Sequence, residues 1–278
     1  MKPIWPDCLE VYRIQSGGVR TEVNRMGSLC CQGFGSKEAS GGYGLRHVTS
    51  DCLNRDGTLK LGSALRKPSL SKSHRQIWLD VGAHLGETTL EPARRDPKLM
   101  VYAFEPNLRL AAKMFDVLEN YVVIPMAVAE FDGFAPFYLN RYDAASSLLP
   151  FNQEALRNWI GGNTLRIESE VLVPTIRLDT FLGQMEVERV DLLKIDTQGA
   201  DFEVLKSAGH RLRDIQRIVL EVAITPAQLY AGAKEKSVIV DFLQRHEFVL
   251  IEARKQTHGQ EENLTFVRKT ESGRQYSA

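Results

Sequence analysis

The stretch Ile77-Trp78-Leu79-Asp80-Val81-Gly82-Ala83-His84-Leu85-Gly86-Glu87-Thr88-Thr89, with Tyr102-Ala103-Phe104-Glu105-Pro106 a little further on, decides the fold. An apolar run ends in an acidic residue, a glycine loop follows, and the chain then enters a segment able to start a helix. A second apolar run ends in a glutamate. In an α/β sheet this order puts Gly82 and Gly86 at the carboxyl edge of the first strand, where the chain turns and a ligand can approach the backbone. Glu105, at the tip of the neighbouring strand, is then positioned to accept both hydroxyls of a ribose. The pattern predicts a site for an adenosine-containing cofactor.

The glycine spacing narrows the choice. Dinucleotide-binding loops read G-x-G-x-x-G and hold a pyrophosphate on a helix N-terminus. Here the loop is G-x-x-x-G, with His84 where the second glycine would be and Asp80 in front. A carboxylate beside a phosphate is repulsive, whereas beside a cationic cofactor it is favourable. S-adenosylmethionine carries a sulfonium and an ammonium, so Asp80 favours it over NAD. The bland reading of the loop alone is an α/β turn with an acidic helix cap, and Glu105 weakens it.

The chain has 278 residues, 43% of them hydrophobic and 25% charged, the composition of a globular protein with material for one core. Its 35 basic residues equal its 35 acidic ones, so no charge excess points to nucleic acid or to a membrane surface as a partner. No run approaches the ~18 apolar residues of a transmembrane helix, and Met1 to Asp7 lack the apolar core of a signal peptide. A cytoplasmic enzyme is the expectation. Cys8, Cys30, Cys31 and Cys52 have no C-x-x-C pair and no spacing suited to zinc, and read as plain thiols.

Residues 1–73 read as an N-terminal extension and linker. Gly17-Gly18, Gly41-Gly42 and scattered serines break every period, while Trp5, Leu9 and Tyr12 would let the segment pack as a cap. Residues 74–270 read as one domain. Strand-like runs cover 76–81, 100–104, 122–128, 190–195, 216–222, 248–252 and 263–267, and helix-like segments cover 88–95, 108–120, 202–207 and 235–245. This alternation predicts an α/β fold, a Rossmann-like, mostly parallel sheet with helices on both faces. The last two strands, joined by a polar turn over 255–262, predict a C-terminal antiparallel hairpin. An insertion over about 130–189, with extra strands at 134–139 and 171–176, would overhang the ligand crevice as a substrate lid.

The core resembles the FkbM-type family of S-adenosylmethionine-dependent O-methyltransferases. The blocks that carry the resemblance are Leu79–Gly86, Ala103–Pro106, Met126–Gly133, Leu178–Leu182 and Val190–Gly209, in order from residue 76 to about 268. The resemblance implies a class I methyltransferase sheet with S-adenosylmethionine as cofactor. It implies a cofactor site of Asp80, Gly82, Gly86, Glu105, Ala127, Glu130 and Asp196. Asp80 and Gly82 would face the methionine part, Glu105 the ribose, Glu130 the adenine, and Asp196 the methyl group. Two positions depart from the family: His84 where asparagine is common and Asp201 where glutamate is usual. Residues 1–70 fall outside the resemblance.

Methyl transfer is an in-line displacement in which the protein aligns the reactants and, for a hydroxyl acceptor, removes a proton. Candidate bases are Asp196, His84 and Glu221. Each also has a structural reading: Asp196 as a cofactor ligand or helix cap, His84 as a loop hydrogen-bonder, Glu221 as the partner of Lys194 or another basic residue. Asp196, Asp201 and Glu221 could gather into a magnesium site, but the adjacent Asp-Asn pair of such sites is missing and no metal is expected. The expected acceptor is a hydroxyl or carboxyl of a sugar, polyketide or peptide, and a homodimer is left open. The alternatives are an NAD-dependent oxidoreductase and a non-catalytic cofactor-binding protein.

Overall fold

The computed structural model describes residues 76–269. The expected N-terminal extension, with all four cysteines, lies outside the described residues. Seven strands build the main sheet: β1 (Gln76–Val81), β2 (Leu99–Phe104), β3 (Tyr121–Ile124), β7 (Leu192–Ile195), β8 (Arg217–Ala223), β9 (Phe248–Gln256) and β10 (Glu261–Arg268). Their order is β3-β2-β1-β7-β8-β10-β9. The first five are parallel, and β10 runs antiparallel to both β8 and β9. This is the expected parallel sheet with a closing C-terminal hairpin. Between β1 and β7 the strand order reverses, and the crevice at such a point is where open α/β sheets bind ligands.

The apolar runs explain the layering. Every residue of β2 is buried, as a strand covered on both faces requires. Met100, Tyr102 and Phe104 point into the larger core, where Phe181 meets Tyr102 and Phe104 edge-on with ring centroids 5.2 and 4.9 Å apart. That core takes in Val204 and Leu205 of helix α5 (Asp201–Ser207). It also takes in Ile239 and Leu243 of helix α6 (Lys236–Arg245), one helical turn apart. Val101 and Ala103 face the other way, against Ala93 of α1 (Leu90–Arg95) and Ala111 and Met114 of α2 (Leu108–Met114).

Three local expectations are corrected. The run 122–128 is not one strand. Pro125 has no N–H to give a ladder; β3 stops at Ile124, and β4 (Ala127–Val128) joins a second sheet of order β4-β6-β5 with β5 (Gly133–Asn140) and β6 (Ile167–Ile176). The helix expected over 108–120 ends at Met114, where Phe115 is already extended. Asn120 overrides helical propensity by donating to the carbonyls of Ala93, Asp96 and Leu99, which draws the chain back to the sheet. The insertion divides in two. Its last part holds a helix that the sequence reading missed, α4 (Leu178–Gln184), whose Leu178, Phe181 and Leu182 lie in the main core. The part around residues 142–165, which contains α3 (Gln153–Asn158), supplies most of the insertion's residues at the crevice, with Phe137 of β5 beside them.

Candidate active site

A cavity of about 450 Å³ opens at the carboxyl ends of β1, β2, β7 and β8, a size suited to a small-molecule ligand. Gly82, His84, Glu105, Ala127, Asp196 and Glu221 line it. Tyr142, Asp143, Leu148 and Trp159 of the overhanging segment cover it.

Gly82 turns the chain at the end of β1 with φ 76°, and a Cβ there would lie 1.9 Å from the carbonyl oxygen of Asp196. No side chain fits, and the backbones of the β1 and β7 ends are therefore in contact across the switch point. Glu105 ends β2 almost fully buried. Its Oε1 accepts the N–H of Asn107 and its Oε2 the N–H of His84, both at 2.8 Å. Each oxygen keeps a lone pair for a ligand. Burial pushes Glu105 up to about 7, against the two backbone N–H groups that hold it down.

Three of the expected cofactor residues do not line this cavity. Asp80 is fully buried behind it: Thr89 donates to its Oδ2, and Lys194 Nζ lies 3.0 Å from its Oδ1. Its carboxylate is paired with Lys194. Gly86 lies behind the loop, next to the Tyr121 hydroxyl. Glu130 follows β4 of the second sheet and pairs with Lys206 of α5 at 2.6 Å, because the chain leaves the main sheet at Pro125 and carries Glu130 away.

The three candidate bases differ in their surroundings. His84 has both ring nitrogens engaged, Nδ1 with Glu87 at 2.6 Å and Nε2 with Asp143 at 3.1 Å. Burial works against its charged form, but the hydrogen bonds and charges of these two carboxylates outweigh it and raise His84 above its ordinary range. Glu221 does not pair with Lys194 but accepts from Gln198 at 3.3 Å. Burial pushes it up to about 9, with the charges of Asp196, Glu261 and Asp201 adding to the effect. Asp196 is more open than Glu221, 39% exposed, with Lys194 at 3.6 Å and the Gln198 amide at 2.9 Å.

Lys194, Gln198 and Tyr230 also line the cavity. Of these, Lys194 carries a sequence signal: a lone cation inside the apolar run Leu192-Leu193-Lys194-Ile195. Tyr230 reaches the site from the loop after β8, with no local pattern to mark it. Among the described residues, no group of three or more His, Cys, Asp or Glu is arranged to hold a metal ion, and no helix is long and apolar enough to cross a membrane.

A sequence model of the methyltransferase FkbM domain matches residues 80–250. The 2-O-methyltransferase NoeI of Sinorhizobium fredii is 26% identical over 212 residues, 68% of this chain and 84% of that protein. The AMB antimetabolite synthetase AmbE of Pseudomonas aeruginosa is 29% identical over 201 residues, 62% of this chain and 9% of the synthetase. Among solved structures, Aeropyrum pernix fibrillarin in complex with natively bound S-adenosyl-L-methionine is 13% identical. It covers 69% of this chain and 66% of its own, with a TM-score of 0.38.

Proposed function

The chain belongs to the FkbM methyltransferase family, and from that premise we propose that it methylates a neutral hydroxyl of a small molecule, with Asp196 as the base. It is an S-adenosylmethionine-dependent methyltransferase of FkbM type, and the NAD-dependent alternative gives way to that family. When bound, S-adenosylmethionine supplies a methyl group made electrophilic by the sulfonium. Two features of the cavity fit this cofactor. The open lone pairs of Glu105 suit the two hydroxyls of a ribose, and the carboxylates of the lining suit a ligand with two cationic centres. We assign Gly82, Glu105, Ala127 and Asp196 to the cofactor side, with Asp80 acting from behind through Lys194.

The observation that carries the acceptor class is the balance of charge around the cavity. Among the described residues, its lining holds Glu87, Glu105, Asp143, Asp196, Glu221 and Glu261 but only two basic residues, His84 and Lys194. Both are taken: His84 by Glu87 and Asp143, Lys194 by Asp80 and Asp196. Even with Glu221 protonated, the acids of the lining outnumber its two cations, which are already paired, so a neutral hydroxyl meets less opposition there than a carboxylate. NoeI, by name a 2-O-methyltransferase, supports transfer to oxygen.

Asp196 takes the hydroxyl proton in this reading. His84, tied at both nitrogens, orders the loop, and Glu221 stays protonated at neutral pH. The test follows release of S-adenosylhomocysteine with paired probes of one skeleton, methyl glycosides and the matching uronic acids. Methylation of the neutral member is expected, with Asp196→Asn lowering turnover by ~10²–10⁴, well beyond its effect on cofactor affinity. Methylation of the acid, or normal turnover in Asp196→Asn, overturns the reading.

A further inference from the structure

The carboxamide of Gln198 touches both acids at the inner end of the cavity. Its Nε2 donates to Asp196 Oδ1 at 2.9 Å and to Glu221 Oε2 at 3.3 Å, which uses both amide hydrogens. Its Oε1 accepts the hydroxyl of Tyr230 at 2.9 Å. The Tyr230 hydroxyl proton, shared with the Ala145 carbonyl, and the Asp196 carboxylate together favour this orientation, since a flipped amide would set its oxygen against Asp196.

The backbone is shaped for this task. Gln198 lies at φ 58°, a left-handed conformation that costs a non-glycine residue energy and persists where its surroundings hold it. Its carbonyl accepts Ser147 Oγ at 2.8 Å, and the Tyr230 hydroxyl also lies 3.0 Å from the carbonyl of Ala145. A Cβ at the next residue, Gly199, would come within 2.7 Å of Tyr230 Cβ, so Tyr230 packs directly over the turn. The overhanging segment, Tyr230 and the Gln198 amide are thus joined in one hydrogen-bonded unit.

We propose that Gln198 is a positioning residue that aims the Asp196 carboxylate into the cavity, with Tyr230 setting the direction of its amide. The inference rests on the assignment of Asp196 as base. It extends that assignment by naming what holds the base in place.

A side-chain carboxyl carbon-13 titration of the full-length protein tests it, read at Asp196 and Glu221 in wild type, Gln198→Ala and Tyr230→Phe. Losing the N–H donors removes hydrogen bonds to the charged forms. Both signals should change in Gln198→Ala: the Glu221 curve should move to higher pH by about one unit, and the Asp196 carboxyl carbon should shift its resonance as it loses its donor. The changes in Tyr230→Phe should be smaller, because its amide is free to turn. A change at Glu221 alone, or at neither residue, overturns the proposal. If Gln198→Ala does not fold, Tyr230→Phe gives the same reading alone. The titration needs no acceptor, so it separates from the turnover of Asp196→Asn. Unchanged signals with lost turnover remove Gln198 and keep the base, whereas changed signals with normal turnover remove the base.

Discussion

Asp80 and Lys194 are register partners on the adjacent strands β1 and β7, and their charged atoms lie 3.0 Å apart beneath the cavity. Lys194 also donates to the carbonyl of Gly82 at 3.0 Å and lies 3.6 Å from Asp196. Burial works against its ammonium, but the charges of Asp80 and Asp196 outweigh it and raise Lys194. One cation therefore ties together the glycine loop and both acids at the switch point.

Burial already raises the Asp80 carboxyl against the pull of Lys194, so Lys194→Met should leave Asp80 buried without its partner and drive it to take up a proton, at a cost of up to about 3–5 kcal/mol. The double variant Asp80→Asn/Lys194→Met removes both charges and should be less destabilised than the sum of the single changes. Urea unfolding of the four proteins checks this. Strictly additive losses would mean that the pair is not coupled.

Cofactor binding should depend on pH through Glu105. Its carboxyl must be ionised to accept two ribose hydroxyls while also holding the N–H groups of Asn107 and His84. With burial placing it at about 7, affinity for S-adenosylhomocysteine should fall as pH drops through that value, approaching tenfold per unit below it. Without ligand the sign is opposite. The folded chain holds this proton more tightly than the unfolded chain, whose ordinary value is 4.5, so Glu105 subtracts stability as pH rises from 4.5 to about 7. Calorimetry and thermal melts across this range read the two slopes.

How much of this was legible follows the distance along the chain over which each contact forms. Gly82, Glu105 and Asp196 are strand-end residues whose place follows from an apolar run and the turn after it, and they meet at the cavity as the pattern predicts. Asp80 signalled a cation without saying where in the chain it lies. An acid in an apolar strand needs a cation, and Lys194 on the neighbouring strand supplies one. Glu130 was misplaced because Pro125 diverts the chain to a second sheet, a tertiary outcome of one residue. Gln198 and Tyr230 are 32 positions apart and joined by a hydrogen bond that no local period encodes. Helix α4 was missed because Leu178–Gln184 is short and carries Gly183, and it forms because Phe181 has Tyr102 and Phe104 to pack against.

His84→Asn should change S-adenosylhomocysteine affinity by only a few-fold, since the contact of residue 84 with Glu105 is through its backbone N–H. The same change removes the bond to Asp143, so the amides of residues 143–147 should exchange faster with solvent. Hydrogen exchange alongside calorimetry checks both. A large loss of affinity with unchanged exchange would instead make the imidazole itself a ligand contact.

The central claim is that the cavity between the Gly82 loop, Glu105 and Asp196 holds S-adenosylmethionine, with Glu105 on the ribose. Titration calorimetry of S-adenosylhomocysteine into wild type and Glu105→Ala tests it most directly. Each charge-assisted hydrogen bond to the ribose is worth ~1.5–3 kcal/mol, so the variant should bind roughly tenfold or more weakly, with a melting curve that shows it folded. Equal affinity in the two proteins, or binding of NAD in place of S-adenosylhomocysteine, would contradict it.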